Sequence, residues 1–431
     1  MDDDRSGWLS RFRSFRGLWR DIAKVIGGSA PSFSPDLPPV DAEHLAEQMR
    51  QCLEARGGEM SARARAARLG RTYLDLNSTG RFNFLKLLAE EFDSDPKAID
   101  AAMAAVGNAP DHAARHRAER KLKQLLDPPR VKLLTQFTTL PEGVKFLVDM
   151  RAELIALAKS EPLFEPLADD LKCLLAGWFD IGFLELKRMT WRSPALLLEK
   201  IIAYEAVHAI QGWADLKNRL DSDRRLYAFF HPRMPDEPLI FVEVALVKGL
   251  AGNIQQLLDE HAPLQAETEA DTAIFYSINN AQRGLDGISF GNFLIKKVVD
   301  DLSHELPNLK TFATLSPIPG FRGWAERNGR SADLDHPSEE RLCRLAARYL
   351  TEINPDSGRV RDPVAHFHLS NGARLERLNF QADSSARGLS QSAGMMVNYL
   401  YKLSEIESNH EAYTGVGKVA ISSAIKSQLK Q

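Results

Sequence analysis

The sequence predicts an α+β protein in which an N-terminal all-α helical bundle is followed by a half where strands and helices mix. Three observations carry this. From about residue 41 to 190, apolar residues recur at helical spacing and no strand-like alternation interrupts them. After about 190, runs rich in β-formers appear at 238–246, 272–278 and 311–316, separated by helical stretches. The 431 residues, 44% apolar and 26% charged, suit a globular chain of two or three domains. We divide the chain into 1–40, an amphipathic segment and linker; 41–190, the helical domain; and 191–431, the mixed domain.

Charge and cysteine usage narrow the function classes. Lys and Arg number 55 against 58 Asp and Glu, a formal net charge of −3, which argues against a nucleic-acid binder working by bulk charge. No run of eighteen apolar residues occurs, so no transmembrane segment is expected. Cys52, Cys173 and Cys343 form no CxxC pair, and their odd number suits a reducing compartment better than a disulfide framework.

The elements follow in chain order. Trp8, Phe12, Phe15, Trp19, Ile22 and Ile26 repeat at helical spacing, with Arg5, Arg11, Arg13, Arg16, Arg20 and Lys24 between them. Such a helix either touches a membrane or serves as a transit peptide, or it docks its aromatic stripe on its own core or a sister subunit. The opening Asp2-Asp3-Asp4 favours docking, because transit peptides avoid acids. Residues 27–39, rich in Gly and Pro, read as a linker. Ala42, Leu45, Ala46, Met49, Cys52 and Leu53 make one helical stripe. Asp95 followed by Pro96 reads as an N-cap with proline in the first turn, and Gly107 closes that helix. Pro141-Glu142 opens a helix in which Val144, Phe146, Leu147, Met150 and Leu154 face one way. Leu163, Leu167, Leu171, Leu174, Leu175 and Trp178 form a further stripe. These stripes read as core.

In the second half, helical stretches are expected at 194–204 and 209–219. The Asn371-Gly372 pair suggests the turn of a hairpin spanning 366–380, and 390–403, with Met395, Met396, Tyr399 and Tyr401, reads as a last helix. Strand 272–278, helix 288–306 and strand 311–316 make one βαβ crossover. The loop bearing Gly284, Gly287 and Gly291 sits at the start of its helix, where free amides and the helix dipole can cradle an anion. Ser316 ends the next strand at the same edge. Plain readings stand beside these. The glycines match neither the dinucleotide fingerprint nor the Walker loop, and a glycine loop before a helix is often only a turn. A serine before proline is a common turn former, and no GxSxG elbow is present. His366 and His368 would share a strand face. Two histidines without a third ligand or an HExxH motif do not make a zinc site, so metal: none is the expectation.

Several words of the sequence resemble the malonyl-CoA decarboxylase family. They are Phe275-Tyr-Ser-Ile278, Gln282-Arg-Gly-Leu-Asp-Gly287, Phe293-Leu-Ile-Lys-Lys-Val298, Leu315-Ser-Pro-Ile-Pro-Gly-Phe321, Phe367-His-Leu-Ser-Asn-Gly372 and Asn398-Tyr-Leu-Tyr401. The resemblance implies a helical domain used in homo-oligomer assembly, as dimer or tetramer, and a GNAT-like (acetyltransferase-type) mixed-sheet catalytic domain. It implies a carbon–carbon lyase that converts malonyl-CoA to acetyl-CoA and carbon dioxide, with Ser316 and His368 as catalytic residues. Asp286, Gly287, Ile288, Ser289, Phe290, Gly291 and Asn292 correspond to its acyl-CoA-binding loop. Asn371, Tyr399 and Tyr401 are further candidates for the substrate pocket. No cofactor beyond the CoA of the substrate is expected, because the thioester is its own electron sink. A GNAT-type acyl-CoA transferase is the alternative, and a CoA-binding protein without chemistry a third reading. Peroxisomal forms of the family end in Ser-Lys-Leu; the ending Ser427-Gln-Leu-Lys-Gln431 points instead to the cytoplasm.

Overall fold

The computed structural model describes Trp19, Ile22 and residues 33–54, 58–179, 181–288, 293–355 and 357–430. It divides into two compact units, Met1–Asp180 with Gln282–Ser289, and Ile181–Ala281 with Phe290–Gln431.

The first unit is helical. Its main helices are α1 (Pro39–Leu53), α2 (Gly58–Asp75), α3 (Ser78–Glu91), α4 (Pro96–Gly107), α5 (His112–Leu126), α6 (Pro129–Phe137), α7 (Gly143–Leu157) and α8 (Glu165–Ala176). Local chemistry sets the boundaries. The Asp95 side chain accepts from the amides of Lys97 and Ala98 while Pro96 occupies the first turn, so α4 begins and ends where the sequence places it. Leu45, Ala46, Met49 and Cys52 of α1 and Leu167, Leu171 and Leu175 of α8 are buried; Leu163 stays exposed. Trp19 is fully buried. Its indole N–H donates to the Pro141 carbonyl at 2.9 Å, and its ring meets Phe146 edge-on at 5.0 Å. At this residue the aromatic stripe docks on the chain's own core. Trp8, Phe12, Phe15 and Ile26 lie outside the described residues.

The second unit is built on an eight-stranded sheet of order β1-β2-β3-β4-β5-β10-β6, with β9 paired to β10. The strands are β1 (Glu185–Met189), β2 (Arg224–Phe230), β3 (Ile240–Val247), β4 (Thr272–Asn280), β5 (Thr311–Thr314), β6 (Ser316–Pro317), β9 (Arg374–Asn379) and β10 (Met396–Leu400), while β7 (Ile353–Asn354) and β8 (Arg359–Val360) form a separate two-stranded sheet. β1 begins before residue 190, where the sequence still reads as helical. β1 to β4 run antiparallel, and β4 and β5 are parallel, joined by the expected crossover through a helix, α9, at Phe293–Glu305. An antiparallel meander with one parallel junction at a crossover helix is the GNAT-like architecture. The β4–β5 ladder ends at the pair Phe275 and Thr314, with a last bond from Leu315 N to Phe275 O at 3.0 Å, while β4 continues to Asn280. The Glu205 carboxylate accepts from Ser277 Oγ and Asn279 Nδ2 and so anchors this end of β4, which still pairs with β3 after β5 has ended.

Two expectations of the second half are corrected. Residues 366–380 are not a hairpin. Helix α10 spans Pro363–Ser370, and only 374–379 is a strand. The Asp362 side chain caps its start, accepting from the amides of Val364 and Ala365, with Pro363 in the first turn. At its end Gly372 N donates to Leu369 O and Ala373 N to His368 O, both at 3.0 Å, the two bonds of a Schellman motif. Gly372 takes the left-handed conformation this motif needs, with φ +79°. Asn-Gly is therefore a helix stop here. Likewise 390–403 is not one helix. A short helix, Ala386–Ser392, ends at Ala393 and Gly394, both left-handed, and Met396–Leu400 becomes the buried strand β10. A central strand hidden on both faces, with even Asn398 buried, shows no alternation, and periodicity does not separate it from a buried helix.

Candidate active site

The site in the second unit is assembled from the ends of β5, β6 and β10 and from α10. Thr314 and Ser316 are two residues apart on one strand path and face the same way, while Ala313 and Leu315 pack with Ile274, Tyr276 and Met396 on the other side. β10 pairs with both β5 and β6, through Leu400 with Ala313 and Val397 with Ser316, which brings Tyr399 and Tyr401 alongside. On α10, residues two apart point to nearly opposite sides, so His366 and His368 do not share a face. His366 meets the Tyr413 hydroxyl at 2.9 Å. His368 turns the other way and its Nε2 lies 3.1 Å from Ser316 Oγ.

These groups form one hydrogen-bonded line. Tyr401 OH is 2.7 Å from His368 Nδ1, Nε2 meets Ser316 Oγ, and Ser316 Oγ donates to Thr314 Oγ1 at 2.9 Å. Thr314 Oγ1 also accepts from the Tyr399 amide at 3.1 Å, so one hydroxyl orients both the serine and β10. The imidazole stacks on the Tyr399 ring with centroids 4.5 Å apart and planes at 25°. His368 is 3% exposed and Ser316 6%. Burial pushes the His368 imidazole down to about 3, so it is neutral at physiological pH. Burial likewise holds Tyr399 and Tyr401 well above the usual phenol range. The arrangement is a buried, uncharged hydrogen-bonded line around a neutral imidazole.

Asn371 ends α10, its side-chain amide donating to the Phe367 carbonyl at 2.6 Å, and its buried Oδ1 has no hydrogen-bond partner among the described residues. The Tyr399 hydroxyl is similarly without one. Thr314 was not among the candidates, although its spacing of two from Ser316 on a β-rich run is the signal that places it there.

Asp286, Gly287 and Ile288 belong to the segment that groups with the helical unit; Ser289, Phe290, Gly291 and Asn292 lie outside the described residues. This segment is held from behind. Arg151 of α7, 4% exposed, donates to the carbonyls of Gly284 at 2.5 Å and Asp286 at 2.9 Å. Gly284 lies so close to α7 that a Cβ there would stand 1.8 Å from the Val148 carbonyl oxygen. Burial raises the Asp286 carboxyl, opposed by the Arg151 charge. Gly287 has φ +76°, and the Lys172 amine lies beside it.

Among the described residues no group of three His, Cys, Asp or Glu side chains is placed to hold a metal ion, and no helix is long and apolar enough to cross a membrane.

Comparison with known proteins supplies the family. The family model for the malonyl-CoA decarboxylase C-terminal domain matches residues 182–342 and 336–431, and that for the N-terminal domain matches 92–179. Malonyl-CoA decarboxylase, mitochondrial, of Anser anser anser is 35% identical over 423 residues, covering 86% of this chain and 84% of that protein. The Mus musculus protein of the same name is 35% identical over 474 residues, covering 95% and 93%. The crystal structure of malonyl-CoA decarboxylase from Rhodopseudomonas palustris superposes with a TM-score of 0.85 at 43% identity, covering 90% of this chain and 99% of that one. The structure from Agrobacterium vitis gives 0.82 at 42% identity, covering 89% and 99%. With both domain models matched and a third of positions shared along nearly the whole length of these proteins, this chain belongs to the malonyl-CoA decarboxylase family.

Proposed function

We propose that the protein converts malonyl-CoA to acetyl-CoA and carbon dioxide through a thioester enolate, with Ser316 and His368 as its catalytic pair. The observation that carries this reading is the buried hydrogen bond between Ser316 Oγ and His368 Nε2 in a chain of this family. When the carboxylate carbon leaves as carbon dioxide, both electrons of the broken bond pass to the thioester as an enolate. One proton must then reach the α-carbon. The pair meets these two demands between them, by hydrogen bonding to the developing oxyanion and by delivering the proton. Tyr401, hydrogen-bonded at Nδ1, fixes the tautomer that carries hydrogen on Nε2 and stays protonated because its phenol is buried; the proton delivered to carbon is restored to the pair from solvent before the next turnover. Since the thioester accepts the electron pair, this scheme needs no cofactor beyond the substrate's own CoA. Asn371 and Tyr399, whose buried oxygens have no partner among the described residues, join the acyl pocket. The segment at Asp286–Ile288, braced by Arg151 and flanked by Lys172, receives the diphosphate of the coenzyme. The helical unit serves homo-oligomer assembly, and the cytoplasm is the compartment.

The test is incubation of the purified full chain with malonyl-CoA alone. Acetyl-CoA and carbon dioxide should appear in equal amounts, and Ser316→Ala and His368→Ala should each lower kcat by about 10²-fold or more. Turnover that requires an added amine would replace this reading with acyl transfer. Full activity in both variants would show that the pair has been wrongly assigned.

A further inference from the structure

Ser316 and His368 come from separate elements, β6 and α10, yet their hydrogen bond demands a fixed separation. One buried carboxylate lies between the start of the histidine helix and the loop after the serine. Asp362 is 0% exposed. Its Oδ1 accepts from the amides of Val364 at 3.0 Å and Ala365 at 2.9 Å, so it fixes the start of the helix that carries His368. Its Oδ2 faces the loop that follows Ser316. A Cβ on Gly320 would stand 3.9 Å from Oδ2 and 2.1 Å from the Tyr349 hydroxyl, an approach only glycine permits. Tyr349 lies on the helix Glu339–Thr351, and its ring packs against Phe321 at 6.1 Å. Oδ2 closes no hydrogen bond among the described residues, but the Tyr349 phenol and the Gly320 amide on its side favour the ionised form of Asp362 against the cost of its burial. Among charged neighbours, Asp362 does most to keep the Tyr399 phenol protonated, and the Tyr399 ring is the surface on which the imidazole stacks.

We propose that Asp362 is the positioning residue of the Ser316–His368 pair, holding the histidine helix by its cap and facing the serine loop where Gly320 packs against the Tyr349 hydroxyl. The inference rests on the catalytic reading above. It assigns Asp362 no contact with substrate. Its effect is to hold the imidazole and the hydroxyl in register, so its loss should lower kcat with little change in KM, and only while the pair is intact.

A double-mutant cycle in the full-length enzyme tests this. Asp362→Asn keeps an oxygen for the helix cap and removes the charge. It should lower kcat for malonyl-CoA by about 10- to 100-fold with KM changed less than about threefold, but lower it less than about twofold in a Ser316→Ala background. Tyr349→Phe leaves the cap untouched and serves if Asp362→Asn does not fold; its kcat should fall about threefold or more with the same dependence on Ser316. Equal losses in both backgrounds would mean a general structural role and would overturn the proposal. A fully active Asp362→Asn enzyme beside a disabled Ser316→Ala enzyme overturns it alone. A fully active Ser316→Ala enzyme overturns the catalytic reading and this proposal with it.

Discussion

Replacing His368 with glutamine should make the protein less sensitive to acid, even at the expense of activity. The imidazole is 3% exposed and burial pushes it down to about 3 in the folded protein. In the unfolded chain it titrates near its ordinary value of about 6.5. Between those limits the unfolded state binds a proton that the folded state refuses. Native stability therefore falls as pH drops below about 6.5, and above that value this contribution to acid sensitivity vanishes. At about 1.4 kcal/mol per pH unit, moving from pH 7.5 to about 5.0 should cost wild type about 2 kcal/mol through this residue. Glutamine is polar, of similar reach and does not titrate. The difference in stability between wild type and His368→Gln should therefore shift by that amount, wild type losing more. For a domain of about 150–250 residues this corresponds to roughly 4–8 °C in the difference of transition midpoints. Thermal melts of both proteins at the two pH values read it directly, and the other histidines and carboxylates cancel because both proteins carry them. Parallel losses, within about 1 °C, would refute the claim that the imidazole is held neutral by burial. The same logic predicts that the kcat profile of wild type has no acid limb near pH 6.5 arising from His368.

Two further predictions concern the helical unit. Gly284→Ala places a methyl 1.8 Å from the Val148 carbonyl oxygen, and backbone on both sides cannot yield. The segment should shift at a cost of about 1–3 kcal/mol, read as a KM for malonyl-CoA raised about tenfold with kcat at saturation little changed; an unchanged KM would separate this segment from the coenzyme. Trp19→Ala removes a fully buried ring and the bond to Pro141 and should cost about 3–5 kcal/mol in urea unfolding. A loss below about 1 kcal/mol would mean that docking of the N-terminal stripe contributes little.

How far the sequence could be read depended on whether a local signal had one physical meaning or two. Asp95-Pro96 and the apolar stripe after Glu142 each specify a helix start, and α4 and α7 begin there. The βαβ crossover was legible because its strands are β-rich, although the second ends as β5 at Thr314 and Pro317 still pairs with Met396 in β6. Asn371-Gly372 had two meanings, hairpin turn or Schellman stop, and the choice between them lay nine residues upstream. Asp362-Pro363 is the same start signal as Asp95-Pro96, and giving it the same weight would have placed His366 and His368 on a helix and on opposite sides of it. Met396–Leu400 failed for another reason: its amides pair with β5, β6 and β9, and no local feature announces three partners from elsewhere in the chain. The resemblance pointed to Ser316 and His368 without that geometry, whereas the place of Asp362 between the helix start and the Gly320 loop emerges only when the strands and the helix are in place.

The uncharged character of this hydrogen-bonded line bears on the proposed reaction through what a decarboxylase must avoid. A cation facing the malonyl carboxylate would stabilise the ground state, and that energy would be lost as the carboxylate becomes neutral carbon dioxide. The developing enolate oxygen, by contrast, gains charge and rewards any donor aimed at it. A hydroxyl and a neutral imidazole N–H satisfy both conditions, since each hydrogen bonds to an oxyanion without attracting the carboxylate as a full charge does. On the proposed reading, the burial that drives the His368 imidazole to about 3 serves the chemistry, because a protonated imidazole beside the acyl group would hold the substrate where it is. The same reasoning explains why the carboxylate of Asp362 acts through the helix cap, Tyr349 and Tyr399. Placed directly on the imidazole it would raise the basicity of the ring and restore the charge that the site excludes. Moving a carboxylate next to Nδ1, as in Tyr401→Glu, should accordingly slow decarboxylation by more than Tyr401→Phe does, and an equal effect of the two would remove charge exclusion from the argument.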